Sequence, residues 1–298
     1  MKNDPNLIRK IKFRAIGTNW YFEFFEDVQI DLVSRAKDII EEFEKKFSRF
    51  IDTSFVSQLN SDKYFNNPDD EFFELIKIGK DANKVTNGSF DISIGGILED
   101  RGYDSNYSYI PKDNRNQVGN VSVTKGEIRI SPNSRIDLGG LGKGYLVDKV
   151  KNFFLKNNIK YFLINAGGDI YATSDNKEKI RFELESPFET SETIGELLIS
   201  NSAIAASSNS KRNWSYGGTE YGHLVQTNKL IRNKIIKSVY TFGNKCLDVD
   251  IAATCIFLSE VGLYKKISSY YNVQYLILFE DGTFTKSEGY PAELYLNK

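Results

Sequence analysis

The chain has 298 residues, 40% of them hydrophobic and 27% charged, a balance that excludes disordered and fibrous classes and suits a protein with its own core. Lys and Arg number 39 against 40 Asp and Glu, a net charge of −1, so no global positive field draws it onto nucleic acid or anionic lipid. Two cysteines, Cys246 and Cys255, and one histidine, His223, are too few for thiolate or imidazole zinc clusters, which leaves oxygen as the donor for any metal.

Residues 10–26 alternate and are rich in Phe, Tyr and Trp, which predicts a strand or hairpin. Residues 31–47 place Leu32, Ala36, Ile39, Ile40, Phe43 and Phe47 at the three- and four-residue intervals of an amphipathic helix. A second helix is predicted over 69–85, with Phe72, Phe73, Leu75, Ile76 and Ala82 inward. Asn87-Gly88 stops it, because Gly after a helix tolerates positive φ. The polar segment 103–125, with Pro111, reads as a long loop. A third helix is expected over 144–154, then a buried strand over 161–165. Strands are expected near 181–185, 196–200, 203–207 and 235–242. A fourth helix begins near Asp248 and carries Ile251, Ala252, Cys255, Ile256 and Leu258, and a last strand covers 273–279. Mixed strands and helices without a strict βαβ rhythm predict an α+β fold rather than a doubly wound sheet, organised as one domain over 1–298.

The densest chemical signal is Asp137-Leu138-Gly139-Gly140-Leu141-Gly142-Lys143-Gly144, a glycine-rich loop feeding a helix. Such loops let backbone amides approach phosphate oxygens at a helix N-terminus, although tight packing explains glycines as well. It is not a Walker A loop, because Gly144 stands where the magnesium-binding hydroxyl belongs, and the glycine spacing is not a dinucleotide fingerprint. Asp250 and Thr254 are four apart on the fourth helix and share a face. A carboxylate and a hydroxyl suit magnesium, which keeps waters and substrate phosphates in its shell; capping and packing are the competing reading. Asn165-Ala166-Gly167-Gly168-Asp169 closes an apolar strand with residues small enough for a ligand to come near the backbone. Thr86-Asn87-Gly88-Ser89-Phe90-Asp91 places Asp91 just past a helix stop. His223, placed by its surroundings on a short polar-flanked strand, suits proton transfer or a phosphate contact, with a structural role as the competing reading of a lone histidine.

In this order the segments resemble the ApbE family of FAD:protein FMN transferases across nearly the whole chain. Ile16-Gly17-Thr18 looks like the family's Met-Gly-Thr opening. Phe47-Ser48-Arg49-Phe50 with Ser54 and Leu59-Asn60 resembles its Ser-Arg-Phe, Ser and Leu-Asn pattern. Thr86, Gly88, Phe90 and Asp91 are similar to Thr-x-Gly-x-Phe-Asp, residues 137–148 to Asp-Leu-Gly-Gly-Ile-Ala-Lys-Gly-Tyr-x-Val-Asp, and residues 165–169 to Asn-x-Gly-Gly-Asp. Ala206-Ser207-Ser208 resembles an Ala-Thr-Ser-Gly strand, and residues 250–254 resemble Asp-Ala-x-Ala-Thr.

The resemblance implies a T-fold-like core of mixed, mainly antiparallel sheet with flanking helices, and an FAD cleft between the lobes. It implies magnesium held by Asp250, Thr254 and the carbonyl of Gly142, and FAD contacted by Thr18, Asp91, Gly140, Lys143, Asp148, Gly168, Asp169 and His223. Lys143 and His223 are the expected catalytic groups. The implied reaction moves FMN from FAD to a Thr hydroxyl of a target flavoprotein and releases AMP. FAD hydrolysis to FMN and AMP, or FAD binding without turnover, are the alternatives. Hydrolysis differs only in water replacing the Thr hydroxyl, and binding without turnover is motivated by a departure: the family's His-x-x-Asp-Pro-x-Thr-Gly reads here His223-Leu224-Val225-Gln226-Thr227-Asn228-Lys229, and residues 209–214 also depart from the usual sequel. Residues 1–11 lack the apolar run of a secretory signal, no lipobox cysteine is present, and no span of about 18 apolar residues occurs. The expectation is a soluble cytoplasmic protein, or an exported one if a leader has been removed.

Overall fold

A computed structural model describes residues 7–174, 179–189, 192–209, 213–227 and 234–295. Strands β1 (Leu7–Ala15) and β2 (Thr18–Gln29) form an antiparallel hairpin that turns at Ile16 and Gly17, with φ of 49° and 63°. Two residues at positive φ match the twist of a tight hairpin. Trp20, Phe22 and Phe24 are buried on one face of β2, as the alternation predicts. Helix α1 (Ile30–Phe47) buries Val33, Ala36, Ile40, Phe43 and Phe47, while Leu32 and Ile39 are only partly covered.

Two short elements, α2 (Phe55–Asp62) and β3 (Tyr64–Asn66), come next; eight residues carry too few apolar positions for the periodicity to betray a helix. The Ser54 hydroxyl caps α2 by accepting the Ser57 N–H at 3.0 Å. Helix α3 (Asp70–Val85) starts where Asp69 accepts the Phe72 N–H at 2.8 Å, and ends with Asn87 and Gly88 at φ of 51° and 85°. After α4 (Gly95–Asp100), strands β4 (Val121–Val123) and β5 (Glu127–Ile130) join β3 in a small sheet, β3-β5-β4. The long loop expected over 103–125 therefore closes in a strand.

The second half contains α5 (Gly142–Lys156), β6 (Phe162–Ala166), β7 (Asp169–Thr173), β8 (Ile180–Glu185), β9 (Thr193–Ile199) and β10 (Ser202–Ser208). It continues with β11 (Asn213–Tyr216), β12 (Thr219–Gly222), β13 (Ile236–Gly243), α6 (Cys246–Leu258), α7 (Tyr264–Tyr271), β14 (Gln274–Phe279), β15 (Phe284–Lys286) and β16 (Glu293–Leu294). The main sheet runs β1-β2-β6-β7-β10-β13-β14-β15 with antiparallel ladders throughout. Its side chains alternate between two cores. Phe22, Phe162, Ile164, Ala203, Ala205 and Ile277 pack toward the helices. Leu163, Ala172, Ile204, Leu276 and Leu278 pack with Leu184, Leu197 and Ile199 of the sheet β16-β9-β8.

Helix α6 decides where the chemistry sits. Every residue of it except Leu247 and Asp248 is buried, the pattern of a helix enclosed on all sides, and it packs against α5, β10 and β13. Its two polar buried residues, Asp250 and Thr254, are carried into the interior with it.

Candidate functional site

A cavity of about 370 Å³ opens where α1, the glycine-rich loop, α6 and the ends of the main-sheet strands meet. Its wall includes Asp91, Gly140, Gly142, Lys143, Gly168, His223, Asp250 and Thr254, residues drawn together from positions far apart in the chain.

The glycine-rich loop winds directly into α5. The Leu138 carbonyl accepts the N–H groups of Leu141 at 3.1 Å and Gly142 at 2.8 Å, so the helix begins two residues before the predicted Gly144 and puts Gly142 and Lys143 on the wall. Lys143 pairs with Asp169 and stands 4.0 Å from Asp250 Oδ1. The Gly144 N–H donates to Asp250 Oδ2 at 2.9 Å. A Cβ on Gly144 would lie 2.6 Å from the Cys246 carbonyl oxygen and 2.7 Å from Asp250 Cβ, so this glycine is what lets α5 and α6 come together.

Helix α6 begins at Cys246, not near Asp248, which places Asp250 in its second turn, 4% exposed. It is not an N-terminal cap. That task falls to Asp148, which accepts the Leu247 N–H at 3.0 Å and pairs with Lys151 at 2.5 Å. Asp148 is off the cavity wall. One turn beyond Asp250, Thr254 is 7% exposed and shares a 2.9 Å hydrogen bond with the Ser207 hydroxyl of β10.

Thr18 and Asp169 also stand behind the wall. Thr18 lies against Gly167, at φ 69°, where any side chain would meet its hydroxyl, and the turn is held by Asn165 Oδ1 accepting the Gly168 N–H at 2.9 Å. Gly140 keeps the wall open in the same way, since a Cβ there would strike the Phe90 ring at 2.9 Å. The Asp91 carboxylate accepts the Ser93 N–H and hydroxyl at 2.7 Å each and the Asn83 amide at 3.0 Å. Burial nonetheless pushes its pKa above the ordinary carboxylate value.

His223 is not on a strand. Gly217 and Gly218, with φ of 57° and 79°, turn β11 into β12, and the hairpin ends at Gly222, leaving His223 as the first residue after it. Gln226, where the sequence departs from the family pattern, is exposed and off the wall, while Val225 is on it. The Thr227 hydroxyl donates to the Gly88 carbonyl at 2.7 Å, anchoring this segment. Residues 210–212, and Asn228 and Lys229, lie outside the described residues.

The donor chemistry fits a hard divalent cation: a carboxylate on Asp250, a hydroxyl on Thr254 and the backbone of Gly142 belong to one wall. Among the described residues no three His, Cys, Asp or Glu side chains gather as a metal cage.

The family model that describes the ApbE family matches residues 16–276. The chain belongs to the ApbE family. The FAD:protein FMN transferase of Buchnera aphidicola is 24% identical over 272 residues, covering 84% of this chain and 79% of that protein. The enzyme of the same name from Haemophilus influenzae is 22% identical over 304 residues, covering 92% and 88%. The crystal structure of the ApbE protein from Thermotoga maritima superposes with a TM-score of 0.82 at 21% identity, covering 95% of this chain and 97% of that one. The flavin transferase ApbE from Vibrio cholerae gives a TM-score of 0.73 at 17% identity, covering 94% and 97%. The α+β architecture is thus the ApbE fold. No helix among the described residues is long and apolar enough to cross a membrane.

Three features of this ApbE cavity escape local sequence patterns. Phe50, Tyr103 and Tyr107 form an aromatic stretch of wall, with Phe50 stacked on Tyr107 at 5.2 Å and Trp214 of β11 stacked on Tyr103 at 5.9 Å. Ser207 partners Thr254. Arg49, buried beneath the rings, pairs with Asp137 of the glycine-rich loop at 2.5 Å. Arg49 and Ser207 fall inside segments that resemble family motifs, but nothing local in them signals those partners.

Proposed function

We propose that the protein is a magnesium-dependent FAD:protein FMN transferase, working as a single domain over 1–298, that moves the FMN moiety of FAD onto a Thr hydroxyl of a target flavoprotein and releases AMP. The observation that carries this reading is the convergence of Lys143, Asp250, Thr254 and the start of α5 in one cavity whose wall also holds Phe50, Tyr103 and Tyr107. A lysine and the positive end of a helix dipole meet phosphates, while rings meet the planar parts of a dinucleotide.

In the transfer, the acceptor Thr oxygen bonds to the FMN-side phosphorus as the bond from that phosphorus to the bridging oxygen breaks; AMP leaves with that oxygen. Such a step needs positioning and charge neutralisation more than covalent help from the protein. Lys143 supplies positive charge and is oriented by Asp169, and the dipole of α5 adds to it at its N-terminal end. Asp250, Thr254 and the Gly142 carbonyl would hold magnesium, which would supply Lewis-acid charge to the pyrophosphate oxygens. His223, the imidazole on the wall, takes the proton from the acceptor hydroxyl. Thr18, Asp91, Gly140, Gly168 and Asp148 shape or support the FAD site.

The test is AMP release from FAD with magnesium and with EDTA, alone and with a flavoprotein domain carrying an accessible Thr, following the FMN mass on that acceptor. Labelled acceptor and AMP, both lost with EDTA, are the expected result. AMP without labelled acceptor would replace transfer by FAD hydrolysis, and bound FAD without AMP would make the protein a flavin binder.

A further inference from the structure

The Arg49 guanidinium is enclosed, its side chain 3% exposed. Nε donates to Asp137 Oδ2 at 2.5 Å and Nη2 to the Tyr103 carbonyl at 2.8 Å. Its Cζ lies 4.1 Å from the centre of the Phe50 ring and 5.2 Å from that of Tyr103. Among the described residues Nη1 has no hydrogen-bond partner; Glu99 is 3.7 Å away. The second oxygen of Asp137 accepts the Gly139 N–H at 2.7 Å, and a Cβ on Gly139 would stand 2.8 Å from that same oxygen. The loop is therefore wrapped tightly around the carboxylate that Arg49 grips.

A buried ion pair with one N–H group unsatisfied is a poor way to gain stability, since apolar residues of similar volume serve as well or better. What it provides is geometry. The planar fork addresses two acceptors in fixed directions while stacking on rings, which a lysine cannot reproduce. One side of Arg49 sets the glycine-rich loop that leads into Lys143; the other sets Phe50 and the backbone of Tyr103. We propose that Arg49 is a positioning residue that locks the phosphate-facing loop and the aromatic wall of the cavity into one arrangement, acting through Asp137. The kinetic part of its test rests on the flavin-transfer reading; the structural part does not.

The experiment compares wild type, Arg49→Lys, Asp137→Asn and the double variant by melting temperature, by kcat and KM for AMP release from FAD, and by amide hydrogen exchange over 137–143. Arg49→Lys is expected to lower kcat about 10- to 100-fold, the range for small misplacements of a reacting group. Exchange should quicken at the Gly139 amide while the α3 and β13 amides keep their protection. Because the two residues act as one unit, the double variant should be no slower than the worse single variant. A purely structural role would lower the melting temperature and quicken exchange throughout without changing kcat of the folded protein, and would overturn the proposal. So would additive losses, or wild-type kcat with unchanged Gly139 exchange. If wild type releases no AMP, the transfer reading fails and the Gly139 exchange in Arg49→Lys still decides this proposal. If Arg49→Lys does not fold, Asp137→Asn, which keeps an acceptor for Gly139, decides it by the same readings.

Discussion

Replacing Asp250 by Ala and by Asn separates two jobs that one carboxylate performs. Asp250 Oδ2 accepts the Gly144 N–H at 2.9 Å in a buried setting, and Oδ1 lies 4.0 Å from Lys143. Alanine removes acceptor and charge together. An orphaned buried N–H costs about 1–3 kcal/mol, and at about 2–4 °C per kcal/mol for a chain of this size class the melting temperature should fall by about 2–12 °C. Asparagine keeps an oxygen for Gly144 and loses only the charge, so its melting temperature should stay within about 2 °C of wild type. Both variants should lose magnesium-dependent AMP release by about 100-fold or more, since both remove the anionic ligand proposed for the metal. Thermal unfolding followed by circular dichroism, with AMP release across a magnesium titration, reads the two effects separately. Wild-type AMP release by Asp250→Asn would refute the metal assignment. Equal melting temperatures for the two variants would refute the value placed on the Gly144 bond.

Gly144→Ala brings a methyl to within 2.6–2.7 Å of α6 atoms, about 1 Å inside normal contact. The overpacking, about 1–3 kcal/mol, is partly offset by about 1 kcal/mol of helix propensity; a shifted Asp250 should still cost about 100-fold in AMP release, and unchanged kcat would count against the close helix approach. Lys143→Ala should raise the FAD dissociation constant about tenfold or more by titration calorimetry, from the loss of a charged contact, and an unchanged constant would remove Lys143 from the phosphate site. The raised pKa of Asp91 means the folded state prefers the protonated carboxyl. That contribution to stability is full below the unfolded value of 3.8 and disappears as pH rises through the higher folded value. The melting temperature of wild type relative to Asp91→Asn should therefore decline as pH rises from the unfolded value through the raised folded one; a constant difference would show that burial does not perturb this carboxyl.

Periodicity and turn chemistry made much of the scaffold legible in the chain. The apolar stripe of α1, the Asp69 cap and the Asn87-Gly88 stop of α3, and the aromatic alternation of β2 are local, and local rules describe them. Short elements such as α2 and α4 carry too few residues for a period to show. The strand expected at His223 resolves into a hairpin turned by Gly217-Gly218, because paired positive-φ glycines outrank the polarity of the residues that follow them.

The site divides along the same line. The sequence alone marked the candidates for the chemistry: a glycine-rich loop before a lysine, a carboxylate and a hydroxyl one helical turn apart, and an ordered series of segments resembling one family. Tertiary structure decided which of them share a cavity and what each touches. Asp148 turns out to cap α6, a contact between residues 99 positions apart, and Asp250 becomes buried because α6 is enclosed on every side. Arg49 meets Asp137 across 88 positions. These pairings depend on which strands are neighbours and how closely α5 approaches α6. Such approaches are set by packing against distant segments, and no periodicity within either segment encodes them.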